Sequence, residues 1–198
     1  MNDANLLQYY LNMREPEAYQ WNLSAQSLYL ELETRDFFAR HFEAFEGIKA
    51  CNIGVGVGEW DDYLGYRLHG FGKLTSVDID PDICGLFGYR QAREGHPNPS
   101  TVVCGDFVTC DLPAGEFDLV TMIGSALNEI GVIGGTFEKI GEILKPGGAL
   151  MYMDFDQDDR KDNLLDLLPQ WHMETEKVET YDRFSNIRFF IMKIRKAK

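Results

Sequence analysis

At 198 residues the chain has the length of one ordinary domain, enough to bury a sizeable core and too short for two. Hydrophobic residues make up 44% and charged residues 26%, which excludes disordered, collagen-like and membrane-embedded compositions. The net charge of −13, from 32 acidic against 19 basic residues, repels a phosphate backbone, so nucleic acid is not expected as a partner.

In chain order, the first 46 residues are helical in pattern and rich in aromatic side chains. "NLLQYYLNM" predicts one short helix, and "REPEAYQWNLS" interrupts it with a proline and polar residues. Ser24 is a candidate N-cap for a second helix. Its residues Leu30, Phe37, Phe38, Phe42 and Phe45 follow helical spacing, while Glu31, Glu33, Arg35, Arg40 and Glu43 occupy the other face.

From residue 48 the texture changes to short apolar runs separated by helix-length segments: "IKACNIGV", "KLTSVDI", "STVVCGD", "FDLVTMIG" and "GALMYMDF". Nearly continuous apolar strands alternating with helices predict a parallel sheet covered on both faces. Helices are expected at 58–69, 81–94, 126–131 and 135–145, the last stopped by "KPGG". The end, "WHMETEKVETYD" and then "NIRFFIMKIRK", reads as an antiparallel hairpin. The expectation is one α/β domain with a mixed sheet, in which residues 1–46 form an N-terminal helical layer and 47–198 the core.

The cysteines at 51, 84, 104 and 110 have no CxxC spacing and are expected to be buried free thiols. His41, His69, His96 and His172 are scattered without ligand spacing, so no metal is expected. No stretch approaches the roughly 20 apolar residues of a membrane span, and the start lacks a basic lead followed by an apolar block. A cytoplasmic protein without membrane contact is expected.

The segment "ACNIGVGVGE" carries the chemistry. A strand that runs into a glycine loop and then a helix leaves free backbone N–H groups and a positive helix end beside a ligand at the C-terminal edge of the sheet. The glycines Gly54, Gly56 and Gly58 do not complete the dinucleotide pattern GxGxxG, because Glu59 stands where its third glycine belongs. Glycine-rich turns also occur without any ligand. At the end of the second strand, in "TSVDIDPD", Asp78 can accept hydrogen bonds from both hydroxyls of a ribose. At the end of the third, in "CGDF", Asp106 and Phe107 are placed to read the edge of an adenine and pack on its face.

The loop "NIGVGVG", the strand end "SVDID", the "GDF" corner, "FDLVTMIG" and "ILKPGGALMYMDF", in this order, resemble the class I methyltransferases that use S-adenosylmethionine. The resemblance spans residues 48–195. It implies a Rossmann-like mixed sheet of seven strands, the last antiparallel, with helices on both faces. It also implies that Gly54, Gly56 and Gly58 face the methionine part and ribose, that Asp78 holds the ribose hydroxyls and Ile79 lies on adenine. Asp106 with Phe107 would read the adenine edge, and Ile123 and Gly124 would line the passage to the sulfonium. The family usually has an acid two residues before the first glycine, where this chain has Asn52, an amide without charge attraction for a cationic amino-acid end.

Methyl transfer needs an in-line approach and, for a protonated amine or a phenol, a base near the proton. Asn128 and Glu129, in "GSALNEIG" after the fourth strand, are the candidates. Both also suit helix capping or solvation. The "NPPY"-like motif of adenine- and glutamine-methylating members is missing, so a small-molecule acceptor, methylated at nitrogen or oxygen, is expected. No long insertion separates "MYMDFD" from "WHMETE". A lid must therefore come from the N-terminal layer, with Tyr19 and Trp21 as candidate acceptor contacts, although aromatic rings there also suit packing on the sheet. Two other readings stay open: a non-catalytic S-adenosylmethionine-binding protein of the same fold, and a nicotinamide-dependent oxidoreductase. The oligomeric state is not legible.

Overall fold

The computed structural model describes residues 1–13, 24–124, 133–157 and 159–198. The predicted helix at 126–131 lies outside the described residues. Seven strands form one sheet: β1 (Ile48–Ile53), β2 (Gly72–Asp78), β3 (Thr101–Cys104), β4 (Phe117–Ile123), β5 (Leu144–Phe155), β6 (Met173–Phe184) and β7 (Ile187–Lys196). Their order is β3-β2-β1-β4-β5-β7-β6. The first five pair in parallel, and β7 runs antiparallel to both β5 and β6. This is the mixed seven-stranded sheet expected from the sequence.

Strand residues alternate between the two faces, and both faces are buried. Ala149, Met151 and Met153 of β5 face one apolar cluster with Phe189 and Ile191 of β7, while Leu150 and Tyr152 face the other with Phe190, Met192 and Ile194. That period of two, apolar on both sides, is why the strands read as continuous hydrophobic runs.

Six α-helices are described: α1 (Asp3–Asn12), α2 (Ala25–His41), α3 (Glu59–Leu68), α4 (Pro81–Glu94), α5 (Ile133–Ile143) and α6 (Arg160–Leu167), the last followed by a 3-10 turn at Leu168–Trp171. Helix α2 starts where the sequence predicts it, with the Ser24 hydroxyl accepting from the Ser27 N–H at 3.1 Å. It ends earlier than predicted. Phe42 is already extended, at φ −136 and ψ 129, and Phe45 is exposed beyond it. Phe37 and Phe38 are fully buried beside Ile48, Leu64 and Met151, so α2 is part of the core on that face.

Helix α4 is bounded as the sequence predicts. Asp80 caps its start by accepting from the N–H groups of Asp82 and Ile83, Pro81 occupies its first turn, and Gly95 ends it in the left-handed region at φ 68. Helix α6 is not predicted by the sequence reading. Its first turn is charged and only Leu164 is buried, so it shows almost no apolar stripe.

The segment "KPGG" does not cap α5, which ends at Ile143, directly before β5. It lies within β5. The register passes from Phe117↔Leu144 to Leu119↔Ala149, an irregularity that absorbs the extra residues on the β5 side.

Among the described residues no helix is long and apolar enough to cross a membrane. All four cysteines are free, but only Cys51 and Cys84 are buried, while Cys104 is exposed at the end of β3.

Candidate active site

The strand order reverses direction at β1, which has β2 on one side and β4 on the other. At such a point the connections leave to opposite faces and open a crevice at the C-terminal edge of the sheet. The glycine loop lies there, with Gly54, Gly56 and Gly58 all at positive φ, 82, 53 and 78. The conformation at Gly58 also has a packing cause: a Cβ there would lie 2.6 Å from the Phe87 ring and 2.6 Å from the Arg90 guanidinium.

Asp78 ends β2 beside this loop and organises it. Its Oδ2 accepts from the N–H of Val55 at 2.8 Å and of Gly56 at 3.3 Å, and its Oδ1 accepts from the Asp80 N–H at 2.9 Å. Its carbonyl accepts from the Gly105 N–H at 2.8 Å, which ties the "GDF" corner to the same edge. Ile79, next in the chain, is 69% exposed, an apolar side chain presented to the crevice.

Behind the loop is a fully enclosed polar network. Asn52 is 1% exposed and Asp61, in the first turn of α3, is 0% exposed. The Asn52 amide donates to both Asp61 oxygens at 3.0 Å and to the Gly54 carbonyl at 2.9 Å. Ser76 donates to Asp61 as well. Burial pushes the Asp61 carboxyl up to about 7, against the lowering effect of the Ser76 and Asn52 hydrogen bonds, and Asp62 adds to the rise.

A cavity of about 570 Å³ opens over the loop. Gly54, Gly56, Asp78, Ile79 and Ile123 of the predicted site residues line it, together with Val55, Val57, Glu59, Trp60, Asp80 and Ile83. Its other wall is α2, through Leu30, Glu31, Thr34 and Arg35. Asn52, Gly58, Asp106, Phe107 and Gly124 stand outside this lining. Asp106 is exposed, with its Oδ1 accepting from the Val108 N–H at 2.8 Å, and Phe107 is buried in the core. Gly124 donates its N–H to the Met153 carbonyl at 3.1 Å, holding the end of β4 against β5. Tyr19, Trp21, Asn128 and Glu129 lie outside the described residues.

The sequence reading looked to the N-terminal layer for a lid but named only Tyr19 and Trp21 as contacts, and placed Glu31 and Arg35 merely on the polar face of the helix. They form an i,i+4 ion pair at 3.5 Å. Burial, and then the nearby Glu59 carboxylate, push the Glu31 carboxyl up, while Arg35 opposes this. Helix α1 also reaches the loop, because the Tyr9 hydroxyl donates to the Val57 carbonyl at 2.8 Å.

A family model described as a methyltransferase domain matches residues 26–188. The chain belongs to that family. S-adenosylmethionine is therefore the cofactor of this methyltransferase. Solved structures agree in fold. The protein described as StiE O-MT, residues 961–1257, is similar with a TM-score of 0.73 at 16% identity over 96% of this chain and 81% of that one. A SAM-dependent methyltransferase from Aquifex aeolicus gives 0.67 at 15% identity over 98% of both chains. The cyclase SpnF gives 0.69 at 14% identity over 84% of this chain and 82% of its own. A cyclase among them shows that the fold alone does not specify the reaction. No curated protein sequence matches the chain.

The residues of the methyltransferase fit S-adenosylmethionine. The carboxylate of Asp78 fixes the loop through three backbone N–H groups and lines the cavity, with acceptor capacity left on Oδ1. The exposed Ile79 offers an apolar face for a base, and the loop backbone at Gly56 has open space where a Cβ would stand.

Proposed function

We propose that the methyltransferase transfers its methyl group to nitrogen or oxygen of a small-molecule acceptor by in-line displacement. One observation carries this reading: the wall opposite the glycine loop is a helix of the same chain, α2, so the site is a bounded cavity. Its volume of about 570 Å³ falls among small-molecule sites, which run from about 300 to 1,000 Å³. The charge of −13 works against a nucleic acid acceptor. In this reading the protein is cytoplasmic.

When bound, S-adenosylmethionine supplies a methyl group on a cationic sulfur that an acceptor lone pair can attack. The chain contributes position. In this reading Asp78 accepts the ribose hydroxyls, Ile79 packs on adenine and the exposed Asp106 reads its edge. The Phe107 ring, expected to pack on the base, is buried in the core and leaves only its backbone for that contact. Gly54 and Gly56 border the methionine part, with Gly58 and the enclosed Asn52 supporting them from behind, and Ile123 borders the sulfonium with Gly124 next to it in the chain. Holding an acceptor in line replaces a bimolecular encounter by a positioned one, which supplies most of what this chemistry needs. The N-terminal layer, residues 1–46, serves as the lid, with Tyr19 and Trp21 meeting the acceptor. Glu129 takes a proton from it or, with Asn128, orients it.

Glu31 and Glu59 give the cavity a negative character that attracts a cationic amine. The test is to incubate the protein with methyl-labelled S-adenosylmethionine and a metabolite extract. A small product heavier by one labelled methyl group is expected. Label found only on protein or nucleic acid would overturn the acceptor class.

A further inference from the structure

Asp61 is a buried carboxylate whose described hydrogen-bond partners, Asn52 and Ser76, are neutral. Among the described residues no cation forms an ion pair with it. The adjacent Asp62, by contrast, has a cation, pairing with the Arg90 guanidinium at 2.7 Å. On β1 the neighbouring titratable group is Cys51, whose thiol burial pushes far up, and on the β2 side Ser76 is backed by the Ser100 hydroxyl. An enclosed carboxylate without a cation is costly to keep ionised, so it holds its proton toward neutral pH, and a cation bound nearby would draw out its charge.

The sense of the hydrogen-bond chain follows from one donor. Trp60 Nε1 has only a proton to give, so Thr121 Oγ1 accepts it at 3.1 Å and gives its own proton to Asn52 Oδ1 at 2.7 Å. The amide nitrogen of Asn52 is thereby turned toward Gly54 and Asp61. Trp60 and Gly54 both line the cavity, so the chain begins and ends in its wall. A carboxylate at position 52 would lie against Asp61 with no proton to offer it.

We infer that Asp61 supplies, from the first turn of α3, the negative charge that position 52 lacks, and that Asn52 links it to the loop that holds the cationic amino-acid end of the cofactor. Asp61 is a positioning residue in this scheme. The acid has moved back by one hydrogen bond, and the amide at 52 is the residue type that tolerates the move. The inference rests on the cofactor-site reading above.

The experiment compares two ligands by calorimetry at pH 8: S-adenosylmethionine, and methylthioadenosine, which has the same nucleoside and no amino-acid end. Asp61→Asn should weaken S-adenosylmethionine by about tenfold or more, the size of a charge interaction at a few ångströms in a partly polar interior, and leave methylthioadenosine within about twofold. The exchange Asn52→Asp with Asp61→Asn should restore most of the loss. The wild type gives a readout that needs no variant: near pH 7 S-adenosylmethionine should release protons on binding, seen as a heat that depends on the buffer, and methylthioadenosine should not. Equal weakening of both ligands by Asp61→Asn, or no weakening of either, would overturn the inference, as would the absence of proton release. If the wild type binds neither ligand, the site reading itself fails.

Discussion

Glu31 on α2 and Glu59 at the start of α3 line the same cavity from opposite walls, and burial, with the charge of Glu59 added to it, holds the Glu31 carboxyl above its ordinary range. Arg35 offsets part of this through its 3.5 Å contact with Glu31. Two carboxylates lining one cavity are a cost to the free protein that a cationic acceptor of the proposed kind would relieve. Glu31→Gln should therefore raise the KM of a cationic acceptor several-fold and leave the affinity for S-adenosylhomocysteine unchanged. Steady-state kinetics beside calorimetry separate the two. A KM that does not move would make Glu31 a wall residue only.

Asp61 predicts a pH signature in stability. Its folded carboxyl titrates at about 7, against about 3.9 in an unfolded chain. Between those values the folded protein holds a proton that the unfolded chain has released, so stability falls as pH rises from about 4 to about 7. The full difference is on the order of 4 kcal/mol. Urea denaturation of the wild type and of Asp61→Asn at both ends of this window should show the variant gaining at high pH and losing that gain at low pH. A gap between them that is the same at both ends would show that Asp61 does not titrate there.

The N-terminal layer should matter more for turnover than for the cofactor. Deleting residues 1–22 removes the Tyr9–Val57 hydrogen bond, worth about 0.5 to 1.5 kcal/mol, or about two- to tenfold in binding, together with the Asp3 contacts to Tyr89 and Arg93 on α4. The Asp78 contacts with the loop remain. Methyl transfer should fall far more than that if this layer closes over the acceptor. Equal loss of binding and turnover would assign it a supporting role.

Glu129→Gln should lower turnover by about 10² to 10⁴, the usual contribution of a positioned base, with cofactor affinity little changed. The acid limb of the pH–rate profile should disappear with it. Full activity and an unchanged limb in the variant would remove Glu129 from the chemistry, and Asn128→Ala is the comparison for a role in orientation alone.

The sheet was legible because both of its faces are buried: strands such as "GALMYMDF" show their apolar character without needing a known neighbour. The loop and Asp78 were legible because the three alternate glycines and an acid at the next strand end are local patterns. Glu31, Thr34 and Arg35 were not. Periodicity identifies the apolar face of α2 but says nothing of what the polar face meets, and here that face closes a cavity. Asp61 was missed for a related reason, because an acid in a first helical turn reads as a solvated charge near the helix dipole, whereas Ser76 and Asn52 of the adjacent strands enclose it.

Asp78 is the residue on which the site turns, since one side chain shapes the glycine loop and lines the cavity. Calorimetry of the wild type and of Asp78→Ala with S-adenosylmethionine is the direct measurement. The wild type should bind it, and the variant should bind at least about tenfold more weakly, having lost hydrogen bonds to a charged group worth about 1.5 to 3 kcal/mol each. No heat with S-adenosylmethionine in the wild type, together with clear binding of NAD, would contradict the assignment of this cavity as a methyl-transfer site.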